Sequence, residues 1–176
     1  MMQESILDRL SPEQDLLGTR NDLCVRLARS EREVATAQKL RFSVFYEELK
    51  ASPDTAASHS RRDADRFDAF CDHLIVVRRT AGNEAGKFGV DDGEMVGTYR
   101  LLRQSVAEQN GGFYTQSEFD IAPLLTAKHT LKFLELGRSC VLKQYRTKPV
   151  VELLWQGIWN YVRHHGMDVM LGCASL

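Results

Sequence analysis

The stretch FLELGRSCVLKQYRTKPVVELLWQGIWNYV, residues 133–162, decides the fold. It begins as an apolar strand interrupted by Glu135 and Arg138, passes through a basic turn and enters a long apolar helix opened by a proline. Pro149 fits the first helical position, where its missing N–H costs nothing and its fixed φ suits the helix. Val151, Leu154, Trp155, Ile158 and Val162 then form an apolar face, with Trp155 and Trp159 read as core, and Gly166 ends the helix. A short turn from strand to helix leaves backbone N–H groups unpaired at the positive end of the helix dipole, a ready seat for phosphate. Lys143, Arg146 and Lys148 add their charge to it. The pattern GxxxxGK[ST] is absent, so the turn suits a pyrophosphate or phosphodiester held without hydrolysis rather than a nucleotide-hydrolysing P-loop.

Around this stretch, 176 residues at 43% hydrophobic suffice for one ordinary domain with a sizeable core. Twenty-three Lys and Arg against 24 Asp and Glu leave a net charge of −1, so no global field points to nucleic acid or membrane. Locally, Lys128, Lys132, Arg138, Lys143, Arg146 and Lys148 share residues 128–148 with a single acid, Glu135. That cluster is either a solvated basic surface or a seat for a phosphorylated or acidic partner. The cysteines (24, 71, 140, 173) are scattered singly beside apolar residues, as small core residues of a reducing compartment; Cys71, Asp72 and His73 make no convincing metal spacing, and no metal is expected. The start MMQESILDRL is too polar for a signal peptide, and no run of about 18 apolar residues occurs, so a cytoplasmic location is expected.

Residues 1–21 read as a flexible lead-in, followed by one domain over 22–176. Residues 22–29 alternate as a strand, and Ser30 with Glu33 forms a capping box for a helix whose one face carries Val34, Ala37, Arg41, Val44 and Phe45. Arg41 on that apolar stripe either snorkels to solvent or points into a site. Residues 51–64 have loop composition, and 67–79 and 94–103 read as strands of a long-looped antiparallel hairpin joined by the turn-rich 81–93. Residues 104–130 suggest short irregular pieces, 131–142 the central strand, and 168–174 a buried parallel strand. The order is β-α-β-β-(irregular)-β-α-β, an α/β layer arrangement.

Two opposite charges inside an apolar strand raise a geometric question, because residues 135 and 138 point to opposite faces of a regular strand. A β-bulge at Gly137 would turn both to one side and free a backbone N–H for a reacting carbonyl oxygen. The pair is then either a structural ion pair or the chemical centre.

The strand, basic turn and helix after a hairpin resemble the acyl-CoA motif of the GNAT acyltransferase superfamily, which implies a mixed, mostly antiparallel central sheet flanked by helices. Gln144–Pro149 carries Thr147 and Lys148 where that family has glycines, which suggests a larger thioester carrier than acetyl-CoA. Arg41-x-x-x-Phe45, Asp65-x-x-Asp68, Arg100 in GTYRLL and Glu135-x-x-Arg138 in ELGRSCV resemble the acyl-homoserine lactone (autoinducer) synthases. The fuller string RFSVFYEEL, FDAFCDHLIV, GTYRLL, FYTQSEFDI, ELGRSCVLKQYRTKPVVELLWQGIWNYV and MLGCASL is closer still to the ornithine N-alpha-acyltransferases of the haemolysin-like branch, over residues 22–176.

That resemblance implies transfer of a 3-hydroxyacyl group from the phosphopantetheine of acyl carrier protein to ornithine, giving lyso-ornithine lipid, with no permanently bound cofactor. An amino-acid acceptor needs its carboxylate held, for which Arg41, Arg100 and Arg138 are the candidates, and its cationic side chain held, for which Asp65, Asp68, Asp72 and Glu135 are available. Phe45 joins the substrate-binding set. Glu135 is the expected base and Arg138 its partner on the acceptor or the acyl carbonyl. Lys143, Arg146, Thr147 and Lys148 are expected to receive the carrier and its phosphopantetheine phosphate. A lipid product implies peripheral contact with the inner membrane, although no amphipathic basic helix in the sequence demands it. The chain stops just after the expected fifth strand, so a C-terminally incomplete domain is expected, without an assignable acid for the leaving thiolate. An autoinducer synthase and a non-catalytic acyl-carrier-binding module are the alternatives.

Overall fold

The computed structural model describes residues 16–80 and 88–174. Seven strands, β1 (Leu16–Arg20), β2 (Leu23–Leu27), β3 (Asp72–Arg79), β4 (Gly89–Val90), β5 (Gly93–Arg103), β6 (Phe133–Val141) and β7 (Val169–Leu171), form one sheet. The helices are α1 (Glu31–Phe42), α2 (Thr55–Ser60), α3 (Gln104–Gln109), α4 (Ala122–Ala127) and α5 (Lys148–His165). Strand order is β1-β2-β3-β5-β6-β7, with β4 paired to the start of β5; every pairing is antiparallel except β6 with β7. The mixed, mostly antiparallel sheet is as expected, with two strands beyond the five read from the sequence.

One of these, β1, falls inside the expected lead-in. Its two-residue turn to β2 is allowed by Asn21 at φ 54, a left-handed conformation asparagine tolerates. Leu17 is buried, and its carbonyl accepts from Asn160 Nδ2 on α5 at 2.7 Å. Residues 1–15 of the lead-in and residues 81–87 of the β3–β5 connection lie outside the described residues. Strand β6 is interior to the sheet but one place from the β7 edge rather than central.

Side-chain alternation gives the sheet two faces. One buries Val25, Leu74, Val76, Leu101 and Leu134 under α5. That helix is flanked by Thr147 before its first residue, has Pro149 in its first turn and is closed by Gly166, whose φ of 60° is left-handed. Its buried arc is Val150, Leu153, Leu154, Gly157, Ile158, Tyr161 and Val162, rotated from the expected one, so Val151, Trp155 and Trp159 lie outside rather than in the core. Gly157 explains the rotation. A Cβ there would lie 2.7 Å from Val25 Cγ2 and 3.2 Å from Leu74 Cδ1, so the helix backbone approaches the sheet at this point. Gly157→Val is expected to lower unfolding free energy by about 1–3 kcal/mol in a denaturant melt, the usual effect of overpacking.

The other face lies under α1. Ser30 caps α1 and accepts the Glu33 N–H. The Glu33 carboxylate does not close the expected box onto the Ser30 N–H; it takes the Arg29 N–H and pairs with buried Arg26, which also holds Asp92. After Phe42 the helix widens into a π-helical turn, Ser43–Glu48. Such a turn carries one more residue than an α-turn and shifts what its side chains face.

Candidate active site

Three arginines and three aspartates interlock on the α1 face. Arg41, from α1, points inward and is 1% exposed, which decides between solvent and site in favour of the site. Its Nε donates to Asp63 at 2.8 Å, and its Nη2 donates to Asp68 at 2.8 Å and to the Asp63 carbonyl. Arg100 on β5 donates to Asp65 at 2.6 Å and Asp68 at 3.3 Å. Arg138 on β6 donates to Asp65 at 3.2 Å, with its Nε 3.6 Å from Asp63.

The Asp65-x-x-Asp68 spacing has a local cause. The two residues cap a 3-10 turn at Arg66–Ala69 reciprocally: Asp65 accepts the Phe67 N–H and Asp68 accepts the Asp65 N–H. The remaining carboxylate oxygens turn toward the arginines. His73, paired with Arg100 across β3 and β5, supports the turn from below, its Nε2 3.1 Å from the Asp68 carbonyl. Burial works to raise the pKa of Asp68, but the Arg41 and Arg100 guanidiniums outweigh it and hold it at about 2. Burial likewise opposes ionisation of Asp65, and Arg100 with Arg138 brings it below its ordinary value. Burial lowers the pKa of His73, favouring the neutral ring.

Glu135 and Arg138 do face one cavity, of about 120 Å³, whose walls include Arg100, Tyr114, Gly137 and Cys173. The bulge that brings them together is not at Gly137. In the ladder Gly137 opposes Arg100 and Cys140 opposes Thr98, so Tyr99 of β5 faces two residues of β6, Arg138 and Ser139, one more than a regular ladder holds. Arg138 itself takes the left-handed conformation, φ 53, a strained choice for a residue with a side chain. Gly137 keeps ordinary strand pairing and leaves open space above it. The buried Glu135 carboxylate accepts the backbone N–H of Tyr114 at 3.0 Å and of Thr115 at 2.6 Å, so two donors from the 114–117 turn set its direction.

The three guanidiniums are unequally open. Side-chain exposure is 1% for Arg41, 5% for Arg100 and 30% for Arg138, and for the carboxylates it is 5% for Asp68 and 24% for Asp65. Arg41, Arg100 and Asp68 therefore form the closed back of the site, and Arg138 and Asp65 its open front. Six other expected members lie elsewhere. Asp72 sits on the opposite face of β3, accepting from Tyr161 of α5 and lying 3.6 Å from Arg103, because strand alternation separates it from His73. Phe45 packs at the edge of the α1-side core within the π-helical turn. Arg146 is engaged by Glu48 of that turn, at 2.6 and 2.8 Å, and donates from Nε to the Val141 carbonyl. Lys143, Thr147 and Lys148 are exposed at the start of α5, with Lys148 3.5 Å from Glu152.

Sequence reasoning missed Asp63. It joins Arg41 to Arg138 and accepts from the Tyr46 hydroxyl at 3.0 Å. Within the loop-like ASPDTAASHSRRDAD nothing distinguishes it from Asp54, which caps α2 instead.

Residues 40–156 match the family model described as an acetyltransferase (GNAT) domain. The chain is 50% identical over 165 residues to an L-ornithine N(alpha)-acyltransferase of Rhizobium meliloti (strain 1021), covering 94% of this chain and 54% of that protein. It thus spans about half the length of the curated relatives it matches. Among solved structures, FeeM, an N-acyl amino acid synthase from uncultured soil microbes, matches with a TM-score of 0.56 at 12% identity, over 85% of this chain and 70% of that one. The AHL synthase LasI matches with a TM-score of 0.54 at 16% identity, over 88% and 72%. These two likenesses are of fold.

Proposed function

Because the chain belongs to the acetyltransferase (GNAT) domain family, we propose that it moves a 3-hydroxyacyl group from acyl carrier protein to the alpha-amine of L-ornithine, giving lyso-ornithine lipid. The observation that carries this reading is the 50% identity to an L-ornithine N(alpha)-acyltransferase across 94% of the chain. The cavity supplies groups suited to it. The amine nitrogen attacks the thioester carbonyl; a C–N bond forms, the C–S bond breaks, and the sulfur of the carrier's phosphopantetheine leaves as thiolate, which takes up a proton from solvent. Glu135, aimed by the two N–H groups of the 114–117 turn, receives the amine proton. Arg138, the open guanidinium, takes the acceptor's carboxylate or the acyl carbonyl, and Asp65 beside it takes the side-chain cation of ornithine. Arg41, Arg100, Asp63 and Asp68 hold these two in register.

Lys143, Arg146, Thr147 and Lys148 receive the carrier, the phosphate lying among these side chains at the positive end of α5, where Pro149 has no N–H and Val150 and Val151 donate to the Thr147 carbonyl. Reversing the two exposed lysines (Lys143→Glu, Lys148→Glu) is expected to raise the apparent KM for the acyl carrier about tenfold in low salt, with the defect changing as salt rises and KM for ornithine unchanged. Equal rises for both substrates would remove the carrier from this surface.

Incubating the purified protein with 3-hydroxyacyl carrier protein and ornithine, while following free thiol and the acylated product, tests the whole reading. Thiol release that needs ornithine is the expected result. Release dependent on another amine overturns the acceptor assignment, and carrier binding without turnover overturns the enzyme.

A further inference from the structure

The outer side of α5 carries a surface that the charge cavity does not use. Val151, Trp155 and Trp159 recur every fourth residue, so they form one row along the helix, and they are 45%, 50% and 58% exposed. Single exposed apolar residues are ordinary, whereas a row of two indoles and a valine marks a contact surface. The row is convex, since it lies on the outer side of a helix packed on a sheet. Neither indole N–H has a hydrogen-bond partner among the described residues. The ends of the row are basic: Lys148 at the start of the helix, and Arg163, four residues after Trp159, in its last turn, both exposed. Glu152, the carboxylate on its flank, pairs with both Arg20 and Lys148. No helix among the described residues is long and apolar enough to cross a membrane, so this row can lie on a bilayer but not span it.

We propose that this row docks the protein on the surface of an anionic lipid bilayer. A convex row offers no groove for a peptide. Indoles instead suit the headgroup level, where the ring body enters the acyl boundary and the N–H stays among polar groups. The basic ends complement anionic phosphates, supplying the second attraction that a small apolar contact needs for measurable binding. The purpose of the contact rests on the function proposed above: an N-acylated amino acid is amphiphilic, and a docked enzyme releases it into lipid rather than water.

Vesicle binding tests the proposal without requiring turnover, so its failure is separable from failure of the proposed reaction. The full chain is sedimented with vesicles of phosphatidylcholine containing about 30% phosphatidylglycerol, and with phosphatidylcholine alone. Expected are binding to the anionic vesicles that weakens with salt, a blue shift of tryptophan emission on binding, and about a tenfold drop in partitioning for Trp155→Ser/Trp159→Ser. The double variant is expected to keep the melting temperature and the thiol-release rate with dispersed substrates. Equal partitioning of variant and parent overturns the proposal, as does a parent that stays in the supernatant. A lipid-free dimer that the double variant dissolves assigns the row to a second copy instead. Indoles already shielded from acrylamide without lipid assign it to another part of the chain.

Discussion

Glu135→Gln is expected to slow acyl transfer by about 10²–10⁴-fold, the usual cost of losing a general base. Both oxygens of Glu135 accept backbone N–H groups, from Tyr114 and Thr115. The glutamine amide can keep only one of these bonds, because its NH2 faces a donor whichever way it is flipped. A buried N–H left without an acceptor costs about 1–3 kcal/mol, so a fall in stability should accompany the fall in rate. The measurements are therefore thiol release at saturating substrates, normalised to the folded fraction, beside a denaturant melt. A variant that is less stable yet fully active when folded makes Glu135 an anchor for the 114–117 turn and nothing more.

Arg41→Ala should produce the largest change in stability, a loss of about 3–5 kcal/mol, because it strips a guanidinium from two buried carboxylates, Asp63 and Asp68. Acid titration reads the same network. Asp68 has its pKa depressed from 3.8 to about 2 by arginines that outweigh burial. A depressed carboxylate adds stability above its unfolded pKa, and the gain disappears as pH falls through the folded value. The wild-type protein should therefore lose on the order of 2 kcal/mol between about pH 4 and pH 2 from this group. In Arg41→Ala the loss should begin at higher pH, since one of the two opposing charges is gone. Identical acid profiles for both proteins would mean that Arg41 does not set the ionisation of Asp68.

The frame of this site was legible in the sequence because its signals are local. Pro149 near the start of a helix and Gly166 at its end are backbone requirements readable one residue at a time. Arg41 stood out because a cation on an apolar stripe must go somewhere, and it goes to Asp63 and Asp68. The rotation of α5 was not legible. Apolar residues cover more than half of its circumference, so periodicity alone leaves the buried arc open. The signal that fixes it is Gly157, where only a missing side chain lets the helix meet Val25. Asp63 stayed hidden for another reason: its partners are 22 and 75 residues away, and no local pattern records them. The bulge was expected at the glycine, as backbone freedom suggests, yet Arg138 takes the left-handed conformation itself.

Two elements that border the site each carry one residue more than their regular forms: the π-helical turn at Ser43–Glu48 and the bulge at Arg138–Ser139. Both are events of counting rather than of chemistry. In a regular strand no substitution can place residues 135 and 138 on one face, whatever their side chains, because parity forbids it. A lineage lacking the bulge would reach this arrangement by gaining a residue, not by exchanging one. The converse holds for Ser139. Removing it would restore even alternation and send Arg138 to the α5 face, so an otherwise unremarkable serine is a position where length, not identity, is under constraint.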